Sequence, residues 1–236
     1  MTPTTIILSV IILFLVYVLY AYLTGTVTNL TQTANLNAPV PPITKIEGAT
    51  NTRYGYSIWV YVKTWSNTGT KTIFSRNNNL KLYLDTTSPS LKLDMTMNRQ
   101  PTIQTMTITD NFPLQKWVCI ALSVDNQFVD AYLDGKLVKS QRFYKSTTSG
   151  TPAATVTSMP ATPPAQTIAI NLGNAAGGFD AFVAEFKRWT VPIDPQNAWD
   201  TYLAGNGTNA LSRAFSSYGI DVSVLKNNVE QTKFSF

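Results

Sequence analysis

A stretch near the middle of the chain, Lys116 to Ser140 (KWVCIALSVDNQFVDAYLDGKLVKS), limits the possible folds more than any other. Val118, Ile120, Leu122 and Val124 alternate with Trp117, Cys119, Ala121 and Ser123, the period of two expected of a strand packed mainly through one face. Asp125-Asn126-Gln127 is a turn cluster. Phe128 to Leu133 alternates again, and Asp134-Gly135 supplies the positive-φ pair of a type I′ hairpin before a third strand begins. A helix cannot accommodate that punctuation. The stretch predicts an antiparallel meander, and with it an all-β chain.

Other strand candidates recur at the spacing of a β-sandwich: Tyr54–Thr64, Lys71–Arg76, Leu80–Asp85, Leu91–Met97, Thr102–Thr109, Thr167–Leu172 and Phe179–Thr190. Asp194-Pro195 has the form of a helix start, with Asp as N-cap and Pro at the first position, and Gly205 stops that helix. Between strands, 145–166 is a long Ser/Thr/Pro/Ala tract expected as a surface excursion between two strands of one sheet. The tail is expected to add a helix at Leu211–Tyr218 and a final extended segment that packs on the sandwich or on another protein.

Ile6 to Leu23 is unbroken by charge, and as a helix it would be about 27 Å long, close to the roughly 30 Å of a bilayer's hydrocarbon core. Ile6, Ile12, Phe14 and Leu23 supply its apolar surface, with Tyr17 and Tyr20 toward the end where an interfacial aromatic belt belongs. No Lys or Arg precedes the run and no small-residue cleavage site follows it, which favours a retained single-pass anchor over a signal peptide. The first charged side chain is Lys45, too distant to orient the anchor by the positive-inside rule. The expected divisions are an anchor at 1–23, a Pro/Thr/Asn-rich spacer at 24–48 containing Pro39, Pro41 and Pro42, a sandwich at 49–207, and an extension at 208–236.

Composition excludes several chemistries. There is no histidine, so Ser-His-Asp and Cys-His catalysis and His-ligated metals are absent. Cys119 is the sole cysteine; it has no thiol to pair with and sits mid-strand without a base. Charged residues make up only 13%, and the net charge of +5 is spread singly, without the clustered Lys and Arg of a nucleic-acid surface. No Asp-rich calcium loop is present, and no cofactor or metal is expected.

A Trp opening an apolar strand, a short Asp/Asn turn and a strand ending Tyr-Leu-Asp-Gly-Lys-Leu-Val resemble the central hairpin of laminin-G-like domains. YSIWVYVK at 56–63 and GFDAFVAEFKRWTVPIDPQNAWDTYLAGNG at 178–207 resemble the early strand, closing strand and short helix of the same domains. The resemblance covers roughly 48–207 and implies a two-sheet antiparallel jelly-roll sandwich of the concanavalin A-like type, a fold hosting lectins, hydrolases and structural proteins alike. Hydrolases of that fold use paired strand carboxylates, but Glu is found only at 47, 185 and 230 with no E-x-D-x-x-E arrangement, and Glu185 reads as a charge paired with Lys187 and Arg188. A sugar or partner platform could use Trp59, Tyr61 and Trp65, with Asn78, Asn174 and Asp180 supplying oxygens, although aromatics on strands usually serve sheet packing. An uncharged N-terminal anchor ahead of such a domain is also similar to membrane-anchored minor capsid proteins of nucleocytoplasmic large DNA viruses. That likeness implies a non-enzymatic structural protein in the virion's inner membrane, facing the capsid, with lipid and capsid proteins as partners. The alternative is a membrane-anchored carbohydrate-binding module whose partner is a glycan.

Overall fold

The computed structural model describes residues 10–17, 26–99, 102–149, 154–207, 221–226 and 229–235. Its centre is a sandwich of two antiparallel sheets. The six-stranded sheet runs, edge to edge, through β1 (Val27–Asn35), β13 (Ala181–Trp189), β2 (Arg53–Val62), β7 (Trp117–Asp125), β8 (Phe128–Leu133) and β9 (Lys136–Arg142). The five-stranded sheet runs through β12 (Ile170–Leu172), β3 (Lys71–Arg76), β4 (Leu80–Leu84), β5 (Leu91–Thr96) and β6 (Ile103–Thr109). Two hairpins stand apart in pairing, β10 (Lys145–Ser149) with β11 (Ala154–Ser158) and β14 (Asp221–Lys226) with β15 (Val229–Ser235).

Alternation places the core between the sheets. Tyr54, Tyr56, Ile58, Val60 and Val62 of β2 and Val118, Ile120, Leu122 and Val124 of β7 face Leu80, Leu82, Leu84, Leu91, Leu93 and Met95 of β4 and β5, all buried. The β8–β9 turn is the tight one expected, with Asp134 at φ 48° and Gly135 at φ 76°. Asp134 closes it onto β7, where its Oδ1 accepts from the Cys119 N–H at 2.9 Å.

The stretch 24–48, expected as a spacer, is instead built into the fold from Val27 onward. β1 pairs along β13, Ile43 bridges Ile170, and Leu36 and Ile46 are buried in the core. Arg188, itself fully buried, holds the end of this stretch by donating to the carbonyls of Glu47 at 2.9 Å and Gly48 at 2.7 Å and to the Tyr56 hydroxyl at 2.9 Å. An edge strand has one solvated side, so the Thr- and Asn-rich sequence of β1 suffices with Leu30 and Ala34 packing inward.

The 145–166 tract connects the two sheets rather than two strands of one. After the β10–β11 hairpin it is strapped to the five-stranded sheet: Pro160 bridges Met97, and Arg76 donates to the carbonyls of Pro164 (2.7 Å), Ala165 (3.0 Å) and Ile168 (3.1 Å). At the N-terminus, 10–17 form a helix (α1) with Ile12, Phe14 and Tyr17 exposed. Ile6, Tyr20 and Leu23 lie outside the described residues, as does the helix expected at 211–218. No helix among the described residues is long and apolar enough to cross a membrane.

Candidate functional site

The outer face of the six-stranded sheet is divided between a covering helix and an open groove. The helix α2 (Pro195–Ala204) starts as its sequence implies, with Asp194 Oδ1 accepting from the Asn197 N–H at 2.7 Å and Pro195 opening the first turn. It lies over the outward residues of β13, β2, β7 and β8. Ala198 packs with Ala121, Tyr132 and Ile193, while Tyr202 stacks on Trp59 at 5.8 Å between centroids. The Asp134-Gly135 turn touches the same helix so closely that a Cβ on Gly135 would lie 2.7 Å from the Trp199 ring.

Beyond the helix, strand register assembles a row that no single segment contains. Asn35 pairs with Phe182, Phe182 with Tyr61, and Tyr61 with Trp117, so three aromatic side chains cross three neighbouring strands. Tyr61 and Trp117 are in ring contact at 5.6 Å, and Phe182 is 36% exposed. A groove of about 560 Å³ runs alongside, lined by Gln32, Asn35, Trp117, Phe182, Glu185 and Asn206. Glu185 sits in a β-bulge with φ 49°, and its carboxylate is paired with the Lys187 ammonium at 2.8 Å. The bulge resets the alternation, so Lys187 stays outside and Arg188 turns into the core. The sequence expectation that both cations accompany Glu185 is corrected to Lys187 alone. This arrangement offers ring faces for the flat apolar side of a ligand, and amides and a carboxylate for its polar edge. Cys119 is buried beneath α2, and burial, with Asp134 nearby, pushes its thiol up to about 12.

The structure does not bring the predicted platform together. Trp59 is 7% exposed under Tyr202, with its indole N–H buried and without a partner, so it is a packing residue. Tyr61 belongs to the aromatic row. Trp65 packs against the core from a loop, donating to Asn67 Oδ1 at 3.0 Å beneath the Lys71 ammonium, which lies 4.6 Å from its ring centroid. Asn78 occupies the β3–β4 turn at φ 57°, on the other sheet, and Asp180 accepts from the Thr64 hydroxyl at 2.6 Å. Asn174 is likewise engaged, donating to the Thr70 carbonyl at 2.6 Å. Trp117 and Phe182 are outside the expected platform, and the signal for them as surface residues exists only once strands are paired. Among the described residues, no group of three or more His, Cys, Asp or Glu is placed to hold a metal.

A sequence profile described as the concanavalin A-like lectin/glucanases superfamily, of laminin G type, matches residues 33–197, from within β1 into α2. The chain belongs to this superfamily. Solved structures similar to this laminin G-like sandwich include the botulinum neurotoxin serotype D ligand binding domain in complex with N-acetylneuraminic acid, at 13% identity over 75% of this chain and 43% of that one, TM-score 0.52. The receptor binding domain of botulinum neurotoxin D matches at 12% identity over 75% of this chain and 45% of its own, TM-score 0.52. Domain 4 of AbnA, a GH43 extracellular arabinanase from Geobacillus stearothermophilus in complex with arabinotriose, matches at 19% identity over 68% and 69% of the two chains, TM-score 0.46. At such identities the fold is what is shared. The chain spans less than half the length of the toxin domains. No curated protein matches it.

Proposed function

We propose that this chain is a non-catalytic structural module, held at a membrane by the apolar run 6–23 and docking through the outer face of its six-stranded sheet onto proteins of a surrounding shell. In the setting its sequence resembles, it links the inner membrane of a large DNA virus to the capsid. The observation that carries the docking reading is the Phe182–Tyr61–Trp117 row. Aromatic anchors beside a polar rim are the composition of protein-binding surfaces. The row also stands at the far end of the sheet from the entry of the chain at Val27. From Gly55, in the cross-strand row of Val27 and Trp189, to Tyr61 is about 20 Å along β2. A partner reached there is one above the membrane, not within it.

The same row supports a second reading, a membrane-anchored glycan-binding module, because rings flanked by amides and a carboxylate also suit a pyranose. The sugar named with the toxin domain agrees with that chemistry. One experiment separates the two. Full-length protein carrying a photo-cross-linking amino acid at Phe182 is expected to capture a shell protein in purified particles, and the added substitution Tyr61→Ala is expected to reduce capture strongly. Absence of any protein adduct, together with micromolar glycan binding that Tyr61→Ala abolishes, transfers the assignment to the glycan reading.

A further inference from the structure

The opposite end of the sheet carries a second surface. Thr26 is pinned next to Thr190, whose N–H and hydroxyl donate to the Thr26 carbonyl at 2.9 and 3.3 Å. Only three Cα–Cα steps separate Thr26 from Leu23, the last residue of the apolar run, so the two are at most about 11 Å apart. A spacer of two dozen residues would have stood the sandwich away from the bilayer. With β1 taking over that stretch, an anchor at 6–23 brings the rim at Thr26 next to the bilayer surface.

Strand register shows what else lies on that rim. The row Val27–Trp189–Gly55–Ser123–Asp130–Ser140 crosses all six strands, and the residues just past it form one end of the sheet. Exposed there are Val27 (38%), Val191 (42%), Phe128 (51%) and Tyr144 (36%). Arg142 lies across the rings of Tyr144 and Phe128, at 4.2 and 5.8 Å from their centroids, and Lys145 follows. Arg53 beside them is neutralised by Asp125 at 2.9 Å. The loops of the other end, at Asn37, Ser66–Gly69 and Gln115–Lys116, are polar, and the exposed apolar side chains near them are Leu114, Leu137, Val138 and those of the aromatic row and α2. Aromatic and aliphatic side chains interleaved with cations are the composition of a bilayer's headgroup zone, and the acids at this end are Asp125 on Arg53, Asp130 within the row, and Glu47, which accepts from the Thr28 hydroxyl.

We infer that this rim, Val27–Val191–Phe128–Arg142–Tyr144, lies in the headgroup region of the bilayer, so that the sandwich stands upright with its aromatic groove facing away. The inference rests on the membrane-held reading above and deepens it by naming the lipid-facing surface. The rim's apolar side chains give contact with neutral lipid, and Arg142 and Lys145 add attraction to an anionic headgroup.

The test uses the full-length chain in phosphatidylcholine vesicles, with and without phosphatidylserine. An environment-sensitive fluorophore is placed through Val191→Cys at the rim or Asn67→Cys at the other end, Cys119 being buried. Headgroup-region spin-labelled lipid is expected to quench the label at 191 severalfold more than the label at 67, more so with phosphatidylserine. Adding Phe128→Asp and Tyr144→Asp is expected to reduce quenching at 191 while the chain still floats with vesicles. Equal, weak quenching at both positions in a chain that floats overturns the rim and leaves the anchor standing. A chain that does not float overturns both. Shielding of 191 that follows protein-to-lipid ratio without lipid quenching assigns the rim to a second copy of the chain and also overturns the inference.

Discussion

At the scale of single residues, two buried arginines hold the least regular parts of the chain. Arg188 and Arg76 are 0% and 2% exposed, and the groups their guanidinium N–H donors reach are backbone carbonyls and the Tyr56 hydroxyl. The nearby phenols do not become counter-anions. Burial raises the pKa of Tyr54 and Tyr56 above the ordinary 10.0, outweighing the arginines' opposite pull. Arg188 also lies over both rings, at 4.9 and 5.1 Å. A planar fork suits this site and an ammonium does not, since it cannot reach three acceptors and cover two rings at once. Arg188→Lys is therefore expected to cost about 2 kcal/mol and Arg188→Ala about 3 kcal/mol, from acceptors left without donors and a cavity in the core. Urea unfolding checks this as a lowered midpoint at unchanged slope. Arg53→Ala, at a largely exposed pair, is expected to shift stability by under about 1 kcal/mol. An unchanged midpoint in Arg188→Lys would show that the fork is not what holds residues 47 and 48.

At the scale of elements, α2 and the β8–β9 turn form one joint over the sheet. Gly135→Ala is expected to destabilise by about 2 kcal/mol, because it strains φ 76° and drives a methyl into Trp199. Calorimetry should show a lowered Tm together with weaker protection of α2 amides in hydrogen exchange; a lowered Tm without the change in α2 would mean that the turn and the helix are not coupled. The meander, this turn and the helix cap were legible in sequence because each is a local rule: period two, Asp-Gly, Asp-Pro. β1 was not, because an edge strand needs little apolar alternation and the prolines after it suggested a spacer. Adjacency in the chain sets Arg188 beside Glu185, but the bulge at Glu185 turns it into the core. Trp59 and Tyr61 do share a strand face, as period two requires, but only the docking of α2 decides that Trp59 is covered and Tyr61 is not. The groove is a product of register among β13, β2 and β7, and one sequence does not carry that register.

At the scale of the molecule, the two ends of the sheet differ: Val27, Val191, Phe128 and Tyr144 with Arg142 form a rim where the chain enters, and about 20 Å further along an aromatic row stands beside a groove. Both roles depend on residues 6–23 residing in lipid. The most direct measurement is flotation of the full-length chain on phosphatidylcholine vesicles, beside the double substitution Ile12→Lys and Phe14→Lys. Each lysine near the middle of such a helix is expected to cost about 3 kcal/mol of insertion. Membrane holding through 6–23 predicts that the native chain floats and resists alkaline extraction, while the doubly substituted chain stays in the dense fraction with its β-sheet circular dichroism intact. Equal flotation of both chains, or of neither, would contradict it.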